Sequence, residues 1–204
     1  MIVQPRRKSN ALLISRLEDT PPLLRQPALL AKTSNMRVTE LDTFSRTQRL
    51  LDVNATVRLA GVLSEHVRQG DVICLTGALG AGKTTFARAF INAIARRSND
   101  FEEEVPSPTF TLVQTYELTD LVVSHFDFYR IEQSDEVFEL GLEEAIDDGI
   151  ALLEWPERLG NLLPTNRLGL ALRDGSKRHE RIAELTGYGS WAKRLADIPK
   201  FDRA

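Results

Sequence analysis

Val72-Ile73-Cys74-Leu75-Thr76-Gly77-Ala78-Leu79-Gly80-Ala81-Gly82-Lys83-Thr84-Thr85-Phe86 is the stretch on which the fold turns. Val72 to Leu75 form an unbroken apolar run, the pattern of a short strand buried on both faces. Gly77, Gly80 and Gly82 follow. Glycine enters left-handed backbone angles without penalty and lets a ligand approach the main chain closely. Beyond them Phe86, Ala89, Phe90 and Ala93 recur at helical spacing, so residues 84–97 are expected to form an amphipathic helix. A strand, a glycine loop and a helix in succession aim several backbone N–H groups, and the positive end of the helix, at one point. The spacing Gly77-x-x-x-x-Gly82-Lys83-Thr84 fits a phosphate-binding loop at every fixed position. In such a loop Lys83 meets the β- and γ-phosphates as a point charge, and the Thr84 hydroxyl ligates Mg²⁺. The plain alternative is a chance Gly-rich turn, which the flanking strand and helix argue against.

Asn54 is expected to cap a helix whose Ala60, Leu63 and Val67 share one face, with Gly70 ending it. Beyond the loop helix, residues 98–104 are polar and acidic and read as a surface loop. Residues 109–117 and 121–129 read as strands, and the short Leu118-Thr119-Asp120 link predicts an antiparallel hairpin. Residues 132–148 are acidic and expected to carry short helices. Ile150 to Leu153 reads as another buried strand, and residues 156–163 as a helical turn or loop. Leu168 to Leu172 and Arg181 to Leu185 read as closing strands, and Trp191 to Ala196 as a terminal helix. The expected fold is α/β of the P-loop NTPase type. It has a mixed, mostly parallel sheet flanked by helices, with an antiparallel hairpin.

The chain has 204 residues, enough for one such domain but not two, and its 42% hydrophobic content can fill a core. The net charge of -3 predicts no strongly basic face, so direct, high-affinity nucleic-acid binding is not implied. Cys74 is the lone cysteine, which excludes an intrachain disulfide and a cysteine-rich zinc site and fits a reducing, cytoplasmic compartment. No apolar run approaches the ~18 residues of a membrane span. Residues 1–48 are expected to be a flexible extension, and residues 49–200 the ATP-binding domain. The extension is rich in Arg and Lys and holds Pro21, Pro22 and Pro27. A transit peptide, or a true start at Met36, are alternative readings of it.

Metal-bearing phosphate sites usually recruit an acidic residue from the end of a neighbouring strand. Asp127 ends the run Val122-Val123-Ser124-His125-Phe126, and Glu154 ends Ile150-Ala151-Leu152-Leu153. Each could equally be a strand-end carboxylate facing water. Ser107-Pro108-Thr109 offers hydroxyls that can reach a γ-phosphate or its water, or is simply turn punctuation. His125 reads as a packed, hydrogen-bonded core histidine and Cys74 as core. Trp155 is an aromatic that can stack or anchor a partner.

Four segments in this order resemble one family. They are Gly77 to Phe86, then Ser107-Pro108-Thr109-Phe110-Thr111-Leu112-Val113, then His125-Phe126-Asp127-Phe128-Tyr129-Arg130, then Glu154-Trp155-Pro156-Glu157-Arg158. Together they resemble the TsaE (YjeE) family, the bacterial ATPase of tRNA threonylcarbamoyladenosine synthesis. The resemblance implies that Gly80, Ala81, Gly82, Lys83, Thr84 and Thr85 hold the ATP phosphates. It implies that Thr84 and Glu154 ligate Mg²⁺, and that Asp127 orders the metal or its water. Thr109 would sit in a switch-like loop, and Trp155 would support the nucleotide or a partner surface. Lys83, Asp127, Glu154 and Thr109 are then the catalytic set. The partners implied are TsaB and TsaD, with tRNA reached through that pair and no membrane involved. ATP hydrolysis would reset the complex between turnovers.

No arginine finger is evident, which predicts slow hydrolysis by the chain alone. Arg130 could act in cis, although a salt bridge within the hairpin is the plainer reading. A P-loop kinase for a small molecule or nucleoside is the alternative function, for which Arg96, Arg97, Arg178 and Arg181 make a poor lid. A guanine-reading Asn/Thr-Lys-x-Asp motif and a transporter-type Leu-Ser-Gly-Gly-Gln signature are both absent.

Overall fold

A computed structural model describes residues 42–98, 100 and 104–199. Seven strands lie in one sheet: β1 (Thr43–Leu50), β2 (Val72–Thr76), β3 (Val113–Glu117), β4 (Val122–Asp127), β5 (Gly149–Glu154), β6 (Arg167–Asp174) and β7 (Arg181–Tyr188). Their order across the sheet is β1-β7-β6-β2-β5-β4-β3. β2, β4, β5 and β6 run parallel at the centre. β7 and β3 pair antiparallel at either side, and β1 pairs antiparallel with β7. The helices are α1 (Val53–Ser64), α2 (Lys83–Arg97), α3 (Leu142–Asp148) and α4 (Ser190–Asp197). Short 3-10 helices cover Ser134–Leu140 and Pro156–Leu162.

The period of two in the buried strands sorts the core into layers. On β2, Ile73 and Leu75 face the core built from Leu59 and Leu63 of α1, Phe86 and Phe90 of α2, and Trp191 and Leu195 of α4. Val72 and Cys74 face the other side, with Phe126, Phe128, Leu142 and Leu159. Burial there pushes the Cys74 thiol up to about 12, which suits a core residue and not a nucleophile. Asp71 accepts from Arg68 N at 2.8 Å and takes both terminal nitrogens of Arg194, fastening α4 to the start of β2. No helix among the described residues is long and apolar enough to cross a membrane.

The expected mixed sheet, helix-flanked core and antiparallel hairpin are all present, with local differences. Asp52, not Asn54, caps α1: its Oδ1 accepts from Ala55 N at 2.7 Å, and the helix ends at Ser64, well before Gly70. Residues 109–112 are a turn and not the start of a strand, because Leu112 takes a left-handed φ of 64° and its N–H bonds Pro108 O. β1 begins at Thr43, inside the span assigned to a flexible extension, and its whole length is paired with β7. Residues 1–41 and much of the expected 98–104 loop lie outside the described residues.

Candidate functional site

The carboxyl ends of β2, β4 and β5 converge at one edge, where open α/β sheets present their ligands. The loop from Gly77 to Gly82 leaves β2 there and feeds α2. Gly77, Gly80 and Gly82 all have positive φ, at 137°, 80° and 107°. Gly77 also needs its bare Cα: a Cβ there would lie 2.3 Å from Leu172 O. Gly82 is the N-cap of α2 and offers no side-chain cap, and the first turn holds no carboxylate. The unpaired N–H groups of that turn are thereby left for an anion. α1, by contrast, spends an Asp on its own start.

Lys83 Nζ donates to Gly77 O at 2.8 Å and Ala78 O at 3.1 Å, and lies 3.9 Å from the centroid of the Trp155 ring. Burial lowers its pKa below the ordinary lysine value, while Glu154, Asp127 and Glu157 pull the other way. Asp127 and Glu154 are register partners at the ends of β4 and β5, and both are buried. Glu154 Oε1 accepts from Thr84 Oγ1 at 2.8 Å. Asp127 Oδ2 accepts from Thr109 Oγ1 at 2.7 Å, while its Oδ1 accepts from Tyr129 N at 3.0 Å. Ser107 and Thr109 share a hydrogen bond of 2.7 Å, so the Ser-Pro-Thr loop is tied to β4 through one carboxylate.

These groups line a cleft of about 240 Å³ that takes in Gly80, Gly82, Lys83, Thr84, Thr85, Thr109, Asp127, Glu154 and Trp155. Ala81 belongs to the same loop, with its methyl group buried. The expected site residues are thus brought together. Trp155 adopts a left-handed φ of 58° and packs against Tyr129, ring centroids 5.1 Å apart. Arg130, expected in a hairpin salt bridge, instead stacks on the exposed Phe110 ring at 4.3 Å.

Two contacts had no local signal in the sequence. His125 Nε2 lies 3.0 Å from Glu154 Oε1, across a separation of 29 residues. Arg181 Nε donates to Ala81 O at 3.2 Å, so β7 supports the loop backbone. Among the described residues no group of three or more His, Cys, Asp or Glu could hold a metal unaided. The hard oxygens of Thr84 and Glu154, 2.8 Å apart, nevertheless suit Mg²⁺, which keeps phosphate and water as its other ligands.

This fold and this loop define a P-loop protein of the nucleotide-binding class. A sequence model described as threonylcarbamoyl adenosine biosynthesis protein TsaE matches residues 50–182. A tRNA threonylcarbamoyladenosine biosynthesis protein TsaE from Rickettsia conorii is 37% identical over 153 residues, 72% of this chain and 85% of that one. Its Bacillus subtilis counterpart is 33% identical over 150 residues, 73% and 90% of the two chains. The crystal structure of Bacillus subtilis YdiB superposes with a TM-score of 0.62 at 28% identity, covering 80% of this chain and 95% of that one. The chain belongs to the TsaE family, whose description ties it to threonylcarbamoyl adenosine biosynthesis.

Proposed function

We propose that this chain is a cytoplasmic, Mg²⁺-dependent ATPase that sustains threonylcarbamoyladenosine modification of tRNA by acting on the TsaB–TsaD pair. The observation that carries the reading is the convergence of Lys83, the Thr84–Glu154 pair and Asp127 on one cleft. The loop N–H groups and Lys83 would bind the ATP phosphates. The Thr84 hydroxyl and Glu154 would hold Mg²⁺, which when bound screens phosphate charge. Asp127 would hold the attacking water at the β4 end, with Thr109 keeping that carboxylate oriented. Trp155 would close one wall of the cleft against solvent.

Lys83 is the one cation among the residues lining the described cleft, and no arginine lines it. Such a site lacks a cis finger and should turn over slowly until a partner completes it. The same scarcity of cations disfavours the kinase alternative, which needs a lid to enclose its acceptor. The test is threonylcarbamoyladenosine synthesis reconstituted with TsaB, TsaD and tRNA, wild type against Lys83→Ala. The variant should stop after about one round, and equal multi-turnover yield from both would refute the reading.

A further inference from the structure

Glu154 Oε1 is held from two sides. Thr84 Oγ1 donates to it at 2.8 Å, and His125 Nε2 lies 3.0 Å away. His125 is fully buried, and Glu154 is 2% exposed. Alternation along β4 puts His125 on the same face as Val123, which packs in the core beneath α1 and α2. An imidazole in that setting would be unremarkable if both nitrogens were satisfied. Only one is: Nδ1 is buried and has no hydrogen-bond partner.

A carboxylate oxygen can only accept, so the proton shared with Glu154 belongs to Nε2. The geometry therefore places a donor on Nε2, facing Glu154 Oε1.

We propose that His125 is the positioning residue of Glu154. Its Nε2–H pins Oε1, the same oxygen that Thr84 contacts, and so fixes the carboxylate at the wall of the cleft that Glu154 lines. The inference rests on the proposed magnesium-nucleotide reading. The Thr84 contact cannot do the same work independently, because Thr84 is itself a proposed metal ligand. His125 does not line the cleft, so its hold on Glu154 is built into the fold.

The test uses the full chain, with ADP as probe, titrated calorimetrically with Mg²⁺ and again with EDTA. His125→Gln keeps an amide N–H near the Nε2 position, while His125→Met fills similar space without a donor. His125→Met should lose about tenfold of the magnesium-dependent gain in ADP affinity, the scale of a lost outer-sphere contact, with affinity in EDTA unchanged. His125→Gln should recover most of it. Nitrogen NMR of the wild-type imidazole should show a proton on Nε2. The inference is overturned if His125→Met keeps the full gain, if it weakens ADP equally with and without Mg²⁺, or if wild-type Nε2 carries no proton. Should His125→Met not fold, a wild-type gain in His125→Gln together with the Nε2 proton supports the role, and failure of either overturns it. A wild type with no magnesium-dependent gain sinks the ATPase reading, and this inference with it.

Discussion

The ammonium of Lys83 sits over the face of Trp155, 3.9 Å from the ring centroid, while donating to the carbonyls of Gly77 and Ala78. A cation on an indole face perturbs its emission and is attracted by its quadrupole. Binding phosphates would draw the cation off the ring, so Mg·ADP should change tryptophan fluorescence. Trp191 is fully buried in the α4 core and supplies a constant background. The change should vanish in Trp155→Phe. Persistence there would show that the signal comes from elsewhere.

Lys83 also carries a stability prediction. Burial lowers its pKa, so the folded state disfavours the charged form relative to the unfolded chain. At neutral pH this is a destabilising contribution, relieved as pH climbs through the depressed folded value towards the ordinary lysine value. Lys83→Met should therefore melt higher than wild type at pH 7. The gap should narrow as pH rises towards 10. ATP hydrolysis should meanwhile fall by about 100-fold or more through loss of phosphate charge stabilisation. Calorimetric melts across pH, paired with phosphate release, check both halves. A variant that melts lower at pH 7 contradicts the burial argument.

Asp127 does two jobs that a substitution can separate. Oδ1 accepts from Tyr129 N and Oδ2 from Thr109 Oγ1. In Asp127→Asn the amide oxygen can keep the Tyr129 contact, and its N–H₂ can donate to the Thr109 hydroxyl. Folding and ADP affinity should therefore stay near wild type, while hydrolysis drops about 100-fold or more because the carboxylate proposed to order water has lost its charge. Single-turnover rates beside ADP titration make the comparison. Parallel loss of binding would mean that Asp127 is structural.

The parts of this molecule that could be read from the sequence are those whose reasons are local. The run Val72 to Leu75, the three loop glycines and the spacing of Phe86 and Phe90 each report their own surroundings, and Asp127 and Glu154 advertise themselves by ending apolar strands. β1 was hidden because Thr43-Phe44-Ser45-Arg46-Thr47-Gln48-Arg49-Leu50 has no apolar alternation, and only Leu50 is buried. It is a strand because β7 supplies its hydrogen bonds, more than a hundred residues away in sequence. Residues 109–112 mislead for the same reason. Their composition suits a strand, but the Thr109–Asp127 contact and the Leu112 turn are set by tertiary neighbours. His125 is core, as its surroundings in sequence suggest, and its bond to Glu154 depends on the β4–β5 register.

The loop glycines should not be equal under substitution. Gly77 has both a positive φ and a neighbour, Leu172 O, that a Cβ would meet at 2.3 Å. Gly80 has a positive φ of 80° but nothing within 4 Å of its would-be Cβ. Gly80→Ala should cost about 1–2 kcal/mol, the left-handed penalty alone. Gly77→Ala should cost more, because backbone of β6 or of the loop must also move, and it should abolish ADP binding. Melting temperatures and ADP titrations of the two variants rank them, and the reverse order would contradict the contact geometry.

The edge of the domain away from the hairpin rests on Glu180, and acid should expose that dependence. Its carboxylate accepts from Ser176 Oγ and from the N–H groups of Ser176 and Lys177 on Oε2, while Oε1 receives Arg49 of β1. The Ser176 hydroxyl first, then Arg49, hold its pKa down at about 2. A carboxyl group whose folded pKa is depressed stabilises the fold fully above its unfolded value and loses that contribution as pH falls through the folded one. The window therefore runs from the ordinary glutamate value of about 4.5 down to about 2. Glu180→Gln should melt below wild type at pH 7, and the two should converge as pH drops through that window. Arg49→Ala should reproduce part of the loss, since it removes one of the donors and the tie between β1 and the turn joining β6 to β7. Arg181, beside Glu180, donates to Ala81 O, so loosening this turn should also weaken ADP binding in both variants. Melts from pH 7 to pH 2 with ADP titrations at pH 7 decide it: a gap that stays constant across the window would mean that the charge on Glu180 is not what fastens β1.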